Sequence, residues 1–117
     1  MIWYWQNNTS PLGTYTQDSV KPITINDLSV SSNFKVYIKR QSTPTEWDVV
    51  SFVLDDSQMV QSGKVEIDIL DFIRTALPLV SRSEDLYLQD IEFGMEFTNQ
   101  DQDFNLELNK FGINQRL

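Results

Sequence analysis

Alternation of apolar and polar residues runs through most of the chain and predicts β-strands, because successive side chains of a strand point to opposite faces. In the first strand, Met1, Trp3 and Trp5 fall on one face, and Ile2 and Tyr4 fall on the other. Polar, turn-rich stretches separate this strand from the later ones. The predicted strands cover residues 1–5, 20–25, 34–39, 49–54, 86–98 and 104–111.

Two of these strands carry signs of their place in a sheet. Residues 49–54 form a mostly apolar run, which predicts a central strand with both faces covered. Pro22 cannot donate a backbone hydrogen bond, so the strand over residues 20–25 is expected at an edge or beside a bulge.

The period of the pattern changes between residues 67 and 80. Apolar residues there recur at spacings of three and four, which predicts one helix with an apolar face. Asp68 and Asp71 lie early in it, where carboxylates suit the helix dipole, and Pro78 weakens its last turn. The sequence therefore predicts an antiparallel β-sandwich with one α-helix.

Composition narrows the range of functions. The 117 residues suit a single domain, and 40% of them are hydrophobic, which is enough for one packed core. A formal net charge of −8 disfavours nucleic acid and anionic membranes as partners, whereas a neutral polysaccharide is acceptable. No apolar run is long enough to span a membrane.

The residue types that are missing limit the chemistry. The chain has no cysteine and no histidine, which excludes disulfides, thiolate metal sites and imidazole bases. Carboxylates are then the natural proton carriers. The acidic pairs Asp55-Asp56 and Asp101-Gln102-Asp103 match no calcium loop and are expected to be solvated turns, so we predict no metal and no cofactor.

One predicted strand, residues 86–98, carries a row of carboxylates. Asp90, Glu92 and Glu96 share one face, and Gly94 leaves open space between two of them. Burial beside aromatic rings would raise the pKa of such a group towards that of a general acid. Spacing alone, however, favours a solvated polar face.

Trp3 and Trp5 form a second candidate feature. Flat aromatic faces on a concave sheet would suit the apolar C–H faces of pyranose rings. Tryptophan is also often largely buried in a core without a functional role. Their spacing does not separate these two interpretations.

Several short motifs, taken in order along nearly the whole chain, resemble those of glycoside hydrolase family 12, the endo-β-1,4-glucanases or cellulases. They are Met1-Ile2-Trp3, Pro11-Leu12-Gly13-Thr14, Ser51-Phe52-Val53, Ser62-Gly63 followed by Asp71-Phe72, and Glu92-Phe93-Gly94-Met95-Glu96-Phe97. The Asn7-Asn8 pair and the strand over residues 34–37 are more similar to archaeal or thermophilic members than to fungal ones.

The resemblance implies a concanavalin-like β-jelly roll, in which residues 1–117 form the C-terminal part of a single catalytic domain. Its concave face would bind β-1,4-glucan and hydrolyse it with retention, using two carboxyl groups about 5–5.5 Å apart. Glu96 matches the acid/base. The implied substrate-binding residues are Met1, Trp3, Trp5, Pro11, Glu92 and Phe97.

In the family motif, the nucleophilic glutamate lies two residues before the methionine that matches Met1, outside this sequence. We therefore expect a fold that is incomplete at the N-terminus and a chain that is inactive alone, with an amino-terminal half or another copy as partner. The alternative is a non-catalytic carbohydrate-binding fragment or one half of a split enzyme. Family membership also implies an extracellular location, although the sequence shows no signal peptide.

Overall fold

Most of the secondary structure that the structure describes belongs to one sheet, formed by residues between Ile2 and Glu66. The structure is a computed structural model that describes residues 1–4, 6, 9–81, 91 and 107–115. The chain divides into two compact units, Met1–Leu86 and Tyr87–Leu117. The strands and helices described below all lie in the first unit. In the second unit, the described residues adopt neither helix nor strand.

Over the described part of the chain, the sheet has five strands in the order β1-β4-β3-β2-β5. Three of the four strand pairs are antiparallel, and the pair β1–β4 is parallel, so the sheet is mixed. The strands are β1 (Ile2–Trp3), β2 (Thr14–Ile25), β3 (Leu28–Lys39), β4 (Val49–Leu54) and β5 (Val65–Glu66).

A long hairpin of β2 and β3 forms most of the sheet. Asn26 and Asp27 make its two-residue turn with positive φ angles of 49° and 67°. Two left-handed residues give a type I′ turn, whose twist matches that of the flanking strands. The Asn26 side chain also accepts a hydrogen bond from the backbone N–H of Lys64 at 3.0 Å, which holds the segment before β5 against the turn.

The one α-helix among the described residues, α1 (Ile69–Ala76), is shorter than the sequence predicts at both ends. Asp68 precedes the helix as its N-cap and accepts a hydrogen bond from the N–H of Leu70 at 3.0 Å, so its predicted place inside the helix is wrong. At the other end, a 3₁₀ turn over Leu77–Leu79 replaces the last α-helical turn, because Pro78 has no N–H to donate.

The helix packs on one face of the sheet, and Phe72 is its buried contact. The Phe72 ring meets Phe34 and Phe52 edge-on, with ring centroids 5.0 and 5.1 Å apart. Edge-to-face packing of this kind adds stabilisation beyond the buried area alone. The apolar residues of this core are Ile23, Phe34, Val36, Phe52, Leu54 and Phe72.

A buried lysine ties the helix to the hairpin. Lys21 of β2 is 6% exposed, and its ammonium group donates to the Thr75 hydroxyl at 2.6 Å, the Asp71 carboxylate at 3.0 Å and the Asp71 carbonyl at 3.2 Å. The three acceptors satisfy the three N–H donors of the ammonium group. The charged group can therefore be buried beneath the helix.

The all-β class with one helix is confirmed, and the described residues are consistent with a sandwich or jelly-roll-like fold. The prediction that all strands pair antiparallel is wrong for β1 and β4, which run parallel. The predicted central strand is confirmed as β4, which lies between β1 and β3. The predicted strand over residues 104–111 is wrong for residues 107–111, which form no strand. The predicted strand over residues 86–98, apart from Ile91, lies outside the described residues.

Among the described residues, none of the helices has the length and apolar character needed to cross a membrane.

Candidate functional site

The short strand β1 positions one of the predicted site residues, Trp3. Ile2 pairs with Phe52 and Trp3 pairs with Val53, so the chain start runs along the central strand β4. Ile2 packs against the core on the helix side. Because side chains alternate along a strand, Trp3 belongs to the opposite face of the sheet, where it is half-buried.

Met1 departs from the predicted alternation. It precedes β1, donates from its amino group to the carbonyl of Val50 at 2.6 Å, and accepts from the N–H of Phe52 at 2.8 Å. It shares an open depression of about 140 Å³ with Ile2, so both residues lie beside the helix. The lining is Met1, Ile2, Val50, Phe52, Ile69, Phe72, Ile73 and Ala76, which offers no ionisable side chain for catalysis.

Pro11 lies at the same end of the sheet as Met1. It is buried, and two residues later Gly13 adopts a φ of +95° directly against the backbone of Ile38. Ile38 pairs with Val50, the residue that accepts the hydrogen bond from Met1. The segments that contain Met1 and Pro11 thus lie at the same end of the sheet. Strands β4 and β3 separate them.

The face opposite the helix also carries an aromatic pair, on strands β2 and β3. Tyr15 and Tyr37 are paired across β2 and β3, with ring centroids 6.0 Å apart and an interplanar angle of 72°. Tyr15 is 54% exposed and donates its hydroxyl to the Asp18 carboxylate at 3.2 Å. We call Trp3, Tyr15 and Tyr37 the aromatic face, since the strand register places all three on the same side of the sheet.

Positive charge near this face is offset locally. Each cation of β3 and of the residue after it lies near a carboxylate. The pairs are Lys35 with Asp55 at 3.9 Å, Lys39 with Glu46 at 3.5 Å and Arg40 with Asp48 at 3.4 Å. A surface with paired charges suits an uncharged ligand better than a polyanion.

The acidic residues near β4 have structural roles. Asp55 caps the 3₁₀ turn Asp56–Gln58 by accepting from the N–H and hydroxyl of Ser57 at 3.1 and 2.8 Å. The hydroxyl bond, followed by the N–H bond, lowers the pKa of Asp55. Within the described part of the chain, no group of three or more acidic residues is placed to hold a metal ion.

Four of the predicted site residues cannot be placed relative to this face. Trp5, Glu92, Glu96 and Phe97 lie outside the described residues. The predictions of an acid/base at Glu96 and of sugar contacts at the other three therefore stay predictions.

Sequence reasoning missed Tyr15 and Tyr37 as candidate ligand contacts. The signal was present at Tyr37, the one residue that breaks the apolar–basic alternation of residues 34–39. No comparable signal marks Tyr15, which comes to Tyr37 only through the register of the hairpin.

No protein-family model matches the sequence, and no curated protein matches it either.

Proposed function

We propose that this chain is the C-terminal part of a retaining endo-β-1,4-glucanase, with Glu96 as the acid/base. One observation carries the proposal beyond the sequence. The Met1-Ile2-Trp3 and Ser51-Phe52-Val53 segments, recognised separately along the chain, lie side by side, with Ile2 opposite Phe52 and Trp3 opposite Val53. Two motifs that line one binding cleft must lie close together in the sheet.

The aromatic face supports a sugar polymer as the ligand. The indole of Trp3 and the exposed ring of Tyr15 provide flat apolar surface, and a phenol also offers a hydroxyl for hydrogen bonding. Such combinations of aromatic surface and a few polar groups are typical of ligand sites. The paired charges around the face favour an uncharged polymer such as β-1,4-glucan, which such an enzyme would meet outside the cell.

The proposed reaction uses two carboxyl groups with different roles. Glu96 would protonate the glycosidic oxygen of the leaving sugar, and later, as a carboxylate, would take a proton from the attacking water. The resemblance places the nucleophile two residues before Met1. Hydrolysis by this chain would therefore require an amino-terminal half that supplies the second carboxylate.

The test is complementation. The chain would be co-expressed with the amino-terminal half of a family 12 enzyme and assayed on carboxymethylcellulose and mixed-linkage β-glucan. Glu96→Gln should abolish the activity, whereas Glu107→Gln, which changes an exposed glutamate, should leave it unchanged. Activity that survives Glu96→Gln would refute the assignment of the acid/base.

A second candidate is a carbohydrate-binding role without catalysis. The exposure of Tyr15 beside Tyr37 favours it, because stacking on these rings needs no carboxylate. Titration calorimetry with cello-oligosaccharides tests it directly. Heat of binding that is lost in Trp3→Ala would support the role, and no heat with the native chain would remove it.

A further inference from the structure

The loop between β3 and β4, residues 41–48, presents an aromatic side chain to solvent. Trp47 is 75% exposed, the largest exposed fraction among the large hydrophobic residues of the described chain. A tryptophan this exposed does not gain the stabilisation that burial usually provides. Contact with a ligand would explain why it lies on the surface. The loop leaves the sheet at the end where Met1 and Pro11 also lie.

Hydrogen bonds to Glu46 fix the first part of this loop. Its carboxylate accepts from the Ser42 hydroxyl at 2.6 Å and from the Ser42 N–H at 3.0 Å, and Lys39 lies 3.5 Å away. The backbone N–H of Glu46 in turn donates to the carbonyl of Thr43 at 3.2 Å. Hydrogen bonds of both its side chain and its backbone therefore hold Glu46, the residue before Trp47, in place.

Asp48 fixes the other side of Trp47. Its carboxylate accepts from the N–H of Gln41 at 2.8 Å, which closes the loop, and from the N–H and hydroxyl of Ser81 at 2.7 and 2.8 Å. With Glu46 and Asp48 both anchored, the backbone that carries Trp47 is ordered before a ligand binds. Binding then has only the Trp47 side chain to order, which lowers the entropy cost.

The residues around Trp47 indicate the class of ligand. The loop has three exposed hydroxyl-bearing residues, Ser42, Thr43 and Thr45. The Ser42 hydroxyl donates to Glu46, and the hydroxyls of Thr43 and Thr45 lie 3.1 Å apart. The charged side chains of the loop are already engaged with Lys39, Arg40 and Ser81. A flat aromatic ring among neutral hydroxyls suits a sugar ring, which has apolar C–H faces and an equatorial rim of hydroxyl groups.

We propose that Trp47 and the 41–48 loop form an additional contact for a β-glucan chain, beyond the aromatic face of the sheet. The proposal rests on the proposed function for the identity of the ligand. Trp47 binds the polymer by stacking on one pyranose ring and takes no part in the chemistry.

The experiment measures affinity of the full chain for cellohexaose by calorimetry and for hydroxyethylcellulose by affinity gel electrophoresis. Trp47→Ala should weaken binding by about three- to tenfold, the effect of losing one aromatic contact. Trp47→Phe keeps a flat ring and should retain most of the affinity. Leu28→Ala, which removes a 69% exposed apolar side chain at the hairpin end of the sheet, should change nothing.

The outcomes separate this inference from the proposed function. Binding by the native chain that is unchanged in Trp47→Ala but weakened in Trp3→Ala would overturn the role of Trp47 and leave the proposed function standing. Absence of binding to either glucan by the native chain would overturn this inference, whereas the proposed function would still be decided by the complementation assay. If sedimentation velocity shows that Trp47→Ala changes self-association while glucan affinity stays the same, Trp47 is a protein contact and the inference is wrong.

Discussion

The Asp48 carboxylate accepts a hydrogen bond from the backbone N–H of Ser81 at 2.7 Å, across 33 positions of the sequence. The same carboxylate accepts from the N–H of Gln41, and its side chain is 7% exposed. One residue thus joins the start of the 41–48 loop to the segment that follows α1. The hydrogen bonds from Gln41, and then those from Ser81, lower the pKa of Asp48 to about 2.

This lowered pKa predicts an acid-dependent loss of stability. The ionised carboxylate is favoured in the folded state, so its contribution is fully present above the unfolded pKa of about 3.9. It is lost as the pH falls through the folded pKa of about 2. Asp48→Asn should lower the free energy of unfolding by about 1–3 kcal/mol at pH 7, measured by urea denaturation.

The difference between Asp48→Asn and the native chain should shrink as the pH falls below 4, because the native carboxyl is then progressively protonated. Asp56→Asn is the matched control. Asp56 is exposed and accepts a 3.3 Å side-chain hydrogen bond from Gln6, so this substitution should have little effect at any pH. A difference at Asp48 that stays constant from pH 7 to pH 2 would contradict the argument.

Burial of the Tyr4 phenol predicts a second loss of stability, at alkaline rather than acidic pH. Desolvation raises the pKa of Tyr4 to about 12. The neutral form is favoured in the folded state, so this contribution is present below the unfolded pKa of about 10 and is lost as the pH rises through 12. Between pH 8 and 11 the native chain should lose about 1.4 kcal/mol through this residue.

Urea denaturation of the native chain and of Tyr4→Phe, which cannot ionise, isolates the effect. The free energy of unfolding of Tyr4→Phe should fall less than that of the native chain across this pH range. Absorbance at 295 nm supplies an independent measure, since one tyrosine should ionise well above the ordinary range until the protein unfolds. Parallel alkaline profiles of the two proteins would show that Tyr4 is accessible to solvent.

Local sequence patterns were enough to predict some elements of the fold. The apolar run over Val49–Leu54 coincides with β4, and it lacks polar alternation because consecutive side chains, which point to opposite faces, are both buried from Ser51 to Leu54. The predicted helix was too long because Asp68 caps it and Pro78 forces a tighter turn, and both effects act within one turn of the helix end.

Relationships between distant segments could not be read from the sequence. The first residues of β2 are polar and exposed, and the strand is extended there by pairing with β3 rather than by its own pattern. The parallel pairing of β1 with β4 depends on contacts between segments about 50 positions apart. The candidate site could not be predicted fully for the same reason, because only the register of the hairpin places Tyr15 on the aromatic face.

Lys21 provides a third prediction, on the coupling of helix and sheet. Its ammonium group lies 5.8 Å from the centre of the Phe72 ring, in addition to its bonds to Asp71 and Thr75. Lys21→Ala loses these interactions and leaves unfilled space under the helix, so it should destabilise the fold by about 3 kcal/mol. Lys21→Met retains most of the volume and should cost about 1–2 kcal/mol.

Urea denaturation monitored by circular dichroism gives both values. Lys110→Ala is the control, because Lys110 is an exposed lysine of the second unit and should change the free energy of unfolding by less than about 0.5 kcal/mol. Equal destabilisation by Lys21→Ala and Lys110→Ala would mean that the buried ammonium group does not hold the helix in place.

The last prediction concerns the turn that places Pro11 at the end of the sheet. Gly13 has a φ of +95°, and a Cβ added there would lie 2.2 Å from the carbonyl carbon and oxygen of Ile38. Backbone atoms of a strand cannot move aside as a flexible side chain can. Gly13→Ala should therefore cost about 2–4 kcal/mol through positive-φ strain and overpacking together, seen as a lower urea midpoint with an unchanged m-value.

Gly112→Ala is the matched control, because a Cβ at Gly112 meets no atom within 4 Å and its φ needs no glycine. That substitution should leave the urea midpoint unchanged. If Gly13→Ala also weakens binding to cellohexaose under conditions where it remains folded, the turn that carries Pro11 contributes to the glucan site. Equal stability of Gly13→Ala and Gly112→Ala would show that the close approach of Gly13 to Ile38 does not exist in solution.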